Sequence, residues 1–485
     1  MTLTTGATPR SNHRYRLEPG LGRMSPAERA ARGKLARAEV PRDSHDWFDP
    51  PTDRPDPVDL LEEQAKGRVP ELVPVRRGRM MVSAFTFYRG AALPMASDLA
   101  TTPASGLPVQ LCGDAHLSNF GVFGSPERRL VFDINDFDET APGPWEWDVK
   151  RLATSLEIAG RDNGFSDKAR RRVVEVTVAG YRRAMRSFAA MTNLEVWYAR
   201  ADLEDLRADL EGQMKGRQRK ALDKGMNKAR TRDSMQALAK LTQEVDGGRQ
   251  FVADPPLLVP IDDLLPVGSE RVAFESQITD LLRKYRRTLA TNRQVLLDTF
   301  EYTDLARKVV GVGSVGTRCW IVLLLGRDSS DPLLLQVKEA ETSVLSRYLG
   351  ASKYSNQGQR VVAGQRLMQA SSDIFLGWHR TEAGLDGQQR DFYVRQLRDW
   401  KFSLETEKMK PRGMRLYGEL CGWTLARAHA RSGDRIAIAA YLGRSDEFDQ
   451  AITRFAVTYA DQNERDYQAL VDAVTSGRLT AESGL

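Results

Sequence analysis

The sequence predicts an α+β fold of two lobes, a small lobe built on an antiparallel sheet and a larger helical one. Three observations predict it. Apolar, strand-like runs cluster between about 300 and 400, while the apolar period on either side of them is helical. A hairpin-like loop, TEAGLDGQQ, separates two of those runs. A chain of 485 residues with 41% hydrophobic side chains and eight Trp can bury a large core. The expected organisation is a mobile N-terminal arm (1–55), a helical part of the large lobe carrying polar and acidic loops (56–298), the small sheet lobe (299–400), and C-terminal helices completing the large lobe (401–485).

The elements follow in order. Residues 1–55 are rich in Arg and Pro, with one helix signalled by a capping box of Ser25 and Glu28 and by Pro26 at the first helical position. A helical stretch is expected over 80–99 and a strand over 107–112. The loop GDAHLSNF comes next, then two short strands, 120–123 and 130–134, joined by GSPERR. Residues 147–159 read as helix and 166–244 as mostly helical with a charged surface. The Pro-rich stretch DPPLLVPIDDLLP at 254–266 ends that block, and a helix around 270–298 follows. Strands are expected at 307–311, 319–325, 333–337, 373–380 and 391–397, and helices at 414–431 and 446–474.

Composition excludes several classes. The longest aliphatic run, Ile321–Leu325, is far too short to span a bilayer, so no membrane association is expected. The N-terminus has no apolar segment behind its charges, which reads as no secretory signal and a cytoplasmic protein. Cys112, Cys319 and Cys421 are scattered and the five His are not paired at ligand spacing, which argues against a disulfide framework or a zinc site. A net charge of +6 favours anionic ligands without demanding nucleic acid. Lys220, Lys224, Lys228 and Arg232 recur every four residues and read as a solvated helix face.

Three constellations carry chemistry. Asp114 and Asn119, with His116 between them in GDAHLSN, place a carboxylate for an acceptor proton five residues before a cation ligand. Asp133, Asp136, Asp138 and Glu139 crowd four carboxylates into seven residues, a repulsion that a bound cation relieves. GVGSVG lies between two predicted strands, and Gly311, Gly313, Ser314 and Gly316 would let backbone N–H groups approach phosphates. Lys338 ends an apolar strand in LLLQVKEA and should point at an anion.

These residues carry a resemblance. GDAHLSN resembles the HGDxHxxN loop of aminoglycoside and choline phosphotransferases and the D…N spacing of the protein-kinase catalytic loop, departing at Cys112, where the former have His. NDFDET resembles their IDFDDA metal loop, with Asp148 of WEWDVKRLA twelve residues after Asp136, and this likeness implies Asp136 as the main Mg²⁺ ligand and Asp138 as a helper, with Asp133 the competitor. Lys338 resembles the kinase third-strand Lys, and LYGELCGWTLARAHA resembles the LARLHA helix that precedes their catalytic loop. The chain as a whole, from about 45 to 475, resembles an uncharacterised bacterial family with the motifs FYRGAA, CGDAHLSNFG and FDINDFDET.

What the resemblance implies is a protein-kinase-like fold in circularly permuted order, because the catalytic and metal loops precede the glycine loop and its Lys. It implies ATP and Mg²⁺ as cofactors, Asp114 and His116 as catalytic residues, and phosphoryl transfer to a hydroxyl on a small molecule or a protein. Lys338 and Asp136 should then lie within roughly 10 Å of each other, because both would hold one triphosphate. No Glu is placed to pair with Lys338, since the helix QRVVAGQRLMQA offers Arg360 and Gln365 instead. The alternatives are a nucleotide-binding pseudokinase or scaffold, and an AMP transferase using the same cleft; nucleic-acid binding is unlikely. Arg89 reads equally as a phosphate or substrate contact and as a loop cap, while His429, Trp145 and Trp147 read as packing residues.

Overall fold

The computed structural model describes residues 23–484, apart from 211–215, 232, 246–247, 266–268, 383–386, 398–399 and 401–403. It is a mixed α+β structure with small antiparallel sheets. Its largest sheet has six strands in the spatial order Gly377–Thr381, Arg390–Gln396, Pro332–Glu339, Cys319–Leu325, Glu301–Lys308 and Leu258–Pro260. Every neighbouring pair is antiparallel.

The period-two alternation of these strands assigns side chains to two faces. Leu305, Val322, Leu335 and Val394 face Tyr285 of the helix Ser269–Arg286. Ala306, Ile321, Leu323 and Leu334 face the helix Ser234–Leu241 and Phe251. Lys338 and its cross-strand partner Tyr393 lie on this second face, toward Asp138.

Several expected boundaries move. The strand expected at 307–311 is Glu301–Lys308, where a register irregularity at Leu323/Leu324 accommodates the less apolar sequence. The one expected at 373–380 is Gly377–Thr381, because Asp373 instead caps a turn through Phe375 N–H. The Pro-rich break contributes the edge strand Leu258–Pro260, so the sheet takes elements from upstream of 299. The single helix expected at 80–99 is divided: Ser83 starts a new helix by exchanging capping bonds with Thr86, and another begins at Ala92.

The helical part of the molecule is built around Trp145–Asp162, a helix buried over nearly its whole length. The helices Asp167–Ala190 and Pro411–Ser432 pack face to face, so closely that a Cβ on Gly422 would lie 2.3 Å from the Thr177 carbonyl oxygen. Trp145 stacks on Tyr181 and Trp147 is buried, as expected of core residues. Residues 1–22 of the expected arm lie outside the described residues. Its helix, Pro26–Glu39, has the predicted capping box and packs on Arg435–Leu442, with Arg29 paired to Asp434 at 2.8 Å. No helix among the described residues is long and apolar enough to cross a membrane.

Candidate functional site

The loop GDAHLSN leaves the strand Pro108–Leu111 and is held from beneath by Asp148 on the first turn of Trp145–Asp162. The Asp148 carboxylate accepts from Cys112 N–H at 2.8 Å and Gly113 N–H at 3.0 Å. His429 Nε2 lies 3.1 Å from the same carboxylate, and its Nδ1 lies 2.9 Å from the Tyr181 hydroxyl. His429 is therefore a packed residue, as expected, and it braces the residue that braces the loop. Gly113 has φ +87°, and a Cβ there would lie 2.3 Å from the Glu139 carbonyl oxygen. That contact brings the GDAHLSN loop against the acidic loop, and only glycine permits it.

Asp114 accepts from Arg151 at 2.7 Å, and its other oxygen lies 3.7 Å from His116 Nε2. Burial raises the Asp114 pKa against the lowering effect of Arg151. Burial, with Arg89 and Arg151 nearby, depresses His116 well below its usual value, so the ring is neutral. The Asn119 amide donates to the Asp114 carbonyl at 2.8 Å, which leaves its oxygen for a cation. Arg151 escaped the sequence reading. It lies one helical turn after Asp148 on the same face, and that spacing was the available signal.

Asp136, Asp138 and Lys338 join the acidic loop to the six-stranded sheet. The Lys338 ammonium lies 2.6 Å from Asp138 and 3.8 Å from Asp136, well inside the 10 Å expected, although 200 residues separate Lys338 from Asp138. The Tyr393 hydroxyl donates to the other Asp138 oxygen at 2.7 Å. Burial would raise Asp138, but Lys338 and Tyr393 lower it below the usual carboxylate range. Asp136 is raised by burial and by the Asp138 charge. Lys338 is driven up by both carboxylates in spite of its own burial.

Asp133 has a different environment. It is 1% exposed, ion-paired to Arg427 and bonded to Ala370 N–H, away from the cavity. Arg360 of the helix Gln357–Met368 donates to the carbonyls of Asp138, Thr140 and Glu341, so that helix grips the acidic loop by its backbone and presents no carboxylate to Lys338.

Gly311, Gly313 and Ser314 line a cavity of about 150 Å³ together with Asp114, His116, Asn119, Asp136 and Asp138. Gly316 does not line it, and its carbonyl accepts from Val69 N–H at 2.8 Å. The glycine loop is pinned from outside, where Val312 and Val315 are buried against the 57–91 segment and Arg79 donates to the Gly311 carbonyl at 2.7 Å. Gln64, Arg68 and Arg89 also line the cavity, as do the carboxylate residues Glu139, Glu339 and Glu341. Arg89 Nε, Arg68 Nε and His116 Nδ1 are buried without a hydrogen-bond partner, although another nitrogen of Arg68 reaches the Val315 carbonyl. Among the described residues no three His, Cys, Asp or Glu gather as a self-sufficient metal cage. Mg²⁺ needs less, because it is held by one or two carboxylates with substrate phosphates and water supplying the rest. On the far side, Lys220, Lys224 and Lys228 are exposed as expected, and Arg232 lies outside the described residues.

A family model described as an uncharacterized protein conserved in bacteria (DUF2252) matches residues 68–473. No curated protein and no solved structure matches the chain.

Proposed function

We propose that this chain, which belongs to the bacterial DUF2252 family, transfers a phosphoryl group from ATP to a hydroxyl acceptor with the help of Mg²⁺. The observation that carries the reading is the convergence of Asp114, Asn119, Asp136, Asp138 and the glycine loop on one small polar cavity, with Lys338, which does not itself line it, paired to Asp138. We read the arrangement as a kinase-like pair of lobes in permuted order. The unpartnered nitrogens of Arg89, Arg68 and His116 support an anionic ligand there, since buried donors are ordinarily satisfied.

Asp136 and the Asn119 oxygen would hold Mg²⁺, which neutralises phosphate charge in such reactions. Lys338 would approach the phosphates once the metal draws Asp138 away. Asp114, held by Arg151, would orient the acceptor hydroxyl and take its proton, and Arg89 would meet the transferred group. A second reading, a nucleotide-binding protein without turnover, is favoured by the absence of a carboxylate from Gln357–Met368 beside Lys338 and by the pinned glycine loop. AMP transfer is the third.

One experiment separates them: the full chain is incubated with Mg·ATP and candidate acceptors, and products are read by intact mass. A phosphoryl increment is expected. An adenylyl increment selects AMP transfer, and saturable binding with no product selects the binding protein. No binding of Mg·ATP overturns the assignment.

A further inference from the structure

The polar cavity is smaller than the molecule assigned to it. Its volume is about 150 Å³. A space of that size takes a molecule no larger than about benzene, so it has room for a metal and the reacting phosphates but not for a nucleoside as well. The glycine wall is held in place from outside: Val69 N–H donates to the Gly316 carbonyl at 2.8 Å, Arg79 to the Gly311 carbonyl at 2.7 Å and Arg318 to the Gly67 carbonyl at 3.1 Å. The rest of a nucleotide has to leave the cavity along the line of the strand Pro332–Glu339, in one direction or the other.

On the Gln336 side of Lys338 the sheet and the acidic loop are laced together. Arg395 donates to Gln336 Oε1 and to the Asn135 carbonyl, both at 3.0 Å, and Gln369 donates to the Ile134 carbonyl at 2.7 Å. The space left there is about 70 Å³, and among the described residues its walls have none in common with the polar cavity. The other direction is open. Past Ala340 the chain runs along a groove of about 530 Å³ that shares Gln64, Thr342 and Val344 with the polar cavity. The two charged residues of its wall, Glu63 and Arg347, are paired with each other at 3.0 Å. Leu93, Val344 and Ala351 offer apolar surface and Ser346 a hydroxyl. At the mouth, the Gln64 amide oxygen accepts from buried Arg76 at 2.9 Å, which leaves its N–H groups for a ligand. A groove without net charge, part apolar and part hydrogen-bonding, suits a neutral ring system with hydroxyls, and it adjoins a cavity suited to phosphates.

We propose that the groove between the helix Pro57–Ala65 and the segment 342–352 holds the nucleoside half of ATP, whose triphosphate reaches into the polar cavity past Gln64 and Val344. The inference rests on the reading of the polar cavity as the phosphate site of ATP.

The test begins with calorimetric titration of the full chain with Mg·ATP and with magnesium tripolyphosphate, which has the phosphates and no nucleoside. Both should bind, ATP about tenfold more tightly. Ser346→Leu combined with Ala351→Leu puts aliphatic bulk into the groove from a half-buried and an exposed position, neither of them in the wall of the polar cavity. The double variant should lose about tenfold in ATP affinity and nothing in tripolyphosphate affinity. Photolysis of 8-azido-ATP bound to the unaltered chain needs no variant to fold, and the labelled peptide, identified by mass, should come from 57–65 or 342–357. An adduct confined to other segments overturns the inference, and so does a folded double variant that keeps its ATP affinity; in both cases the phosphoryl-transfer reading stands. ATP affinity kept with turnover on an acceptor lost would assign the groove to the acceptor and overturn the nucleoside. Binding of neither ligand overturns the phosphoryl-transfer reading and this inference with it.

Discussion

Two cavities flank the strand Pro332–Glu339, and they differ in almost every physical respect. The one lined by Asp136 and Asp138, the partners of Lys338, is about 150 Å³, walled by charged side chains from loops distant in sequence. The one facing Val337 is about 420 Å³ and largely apolar. In the first, the groups have definite partners: Lys338 on Asp138, Arg151 on Asp114, Asp148 on the loop backbone. A buried charge is tolerable only when paired, so each such pair fixes the position of a functional group. In the second, volume is left over where a helix and a sheet fail to close. The polar site is thus defined by residue type and the apolar one by packing.

The sharpest way to break the comparison is within the acidic loop itself. Asp136→Asn should abolish Mg²⁺-dependent nucleotide binding and leave the melting temperature nearly unchanged, because the side chain is 30% exposed at the cavity. Asp133→Asn should do the reverse. It strands Arg427 in the core, at about 3–5 kcal/mol of stability, while a protein that still folds keeps its nucleotide affinity. Calorimetry with Mg·ATP and thermal melting of both variants check this, and matching effects would show that the two carboxylates are not divided between metal and structure.

Next in size is the contrast between Asp114 and Lys338. Asp114→Asn should lower turnover by about 10²–10⁴-fold with ATP affinity nearly unchanged, since a proton acceptor acts on the transition state. Lys338→Met should lower affinity and turnover together, because its charge would contact phosphates in both states. Full activity of Asp114→Asn on a verified acceptor would end the catalytic assignment. Arg89→Ala should have a smaller effect, about tenfold in kcat/KM, consistent with the loss of one cation facing Asp114 and His116.

The sequence made the polar side legible because its chemistry is written in local motifs. Asp114, Asn119 and Asp136 are close in sequence and remain close in space, and the resemblance placed Lys338 near them across 200 residues. Tyr393 could not be found the same way, because its contact with Asp138 follows from the register Lys338↔Tyr393, which no local pattern encodes. The 57–91 segment, which pins the glycine loop, reads as helix only from about residue 80, and its role lies in where it docks. The apolar cavity left no trace, since Val322, Val337 and Val394 are ordinary strand residues and only the unfilled space above them makes a cavity. Strand boundaries slipped where a bulge or a capping side chain overrode the apolar pattern.

An effect of another kind lies away from both cavities and concerns the charge of Lys150, whose ammonium has no hydrogen-bond partner. Lys150 is 0% exposed, its ammonium is 4.6 Å from the centre of the Phe455 ring, and its nitrogen has no hydrogen-bond partner. Burial pulls its pKa down to about 7 from 10.5, with Glu146 only partly opposing. Between those two values the unfolded chain binds the extra proton, so this lysine costs stability fully below pH 7 and progressively less as pH rises. Lys150→Met keeps the length and removes the charge. It should stabilise the protein by about 2–4 kcal/mol near pH 6 and by much less near pH 9.5, with nucleotide binding unaltered. Urea unfolding at the two pH values measures both. A gain that did not shrink with pH would mean that Lys150 keeps its proton through a partner, and the rule that charges are retained where they are paired would extend to a residue that looks like an exception.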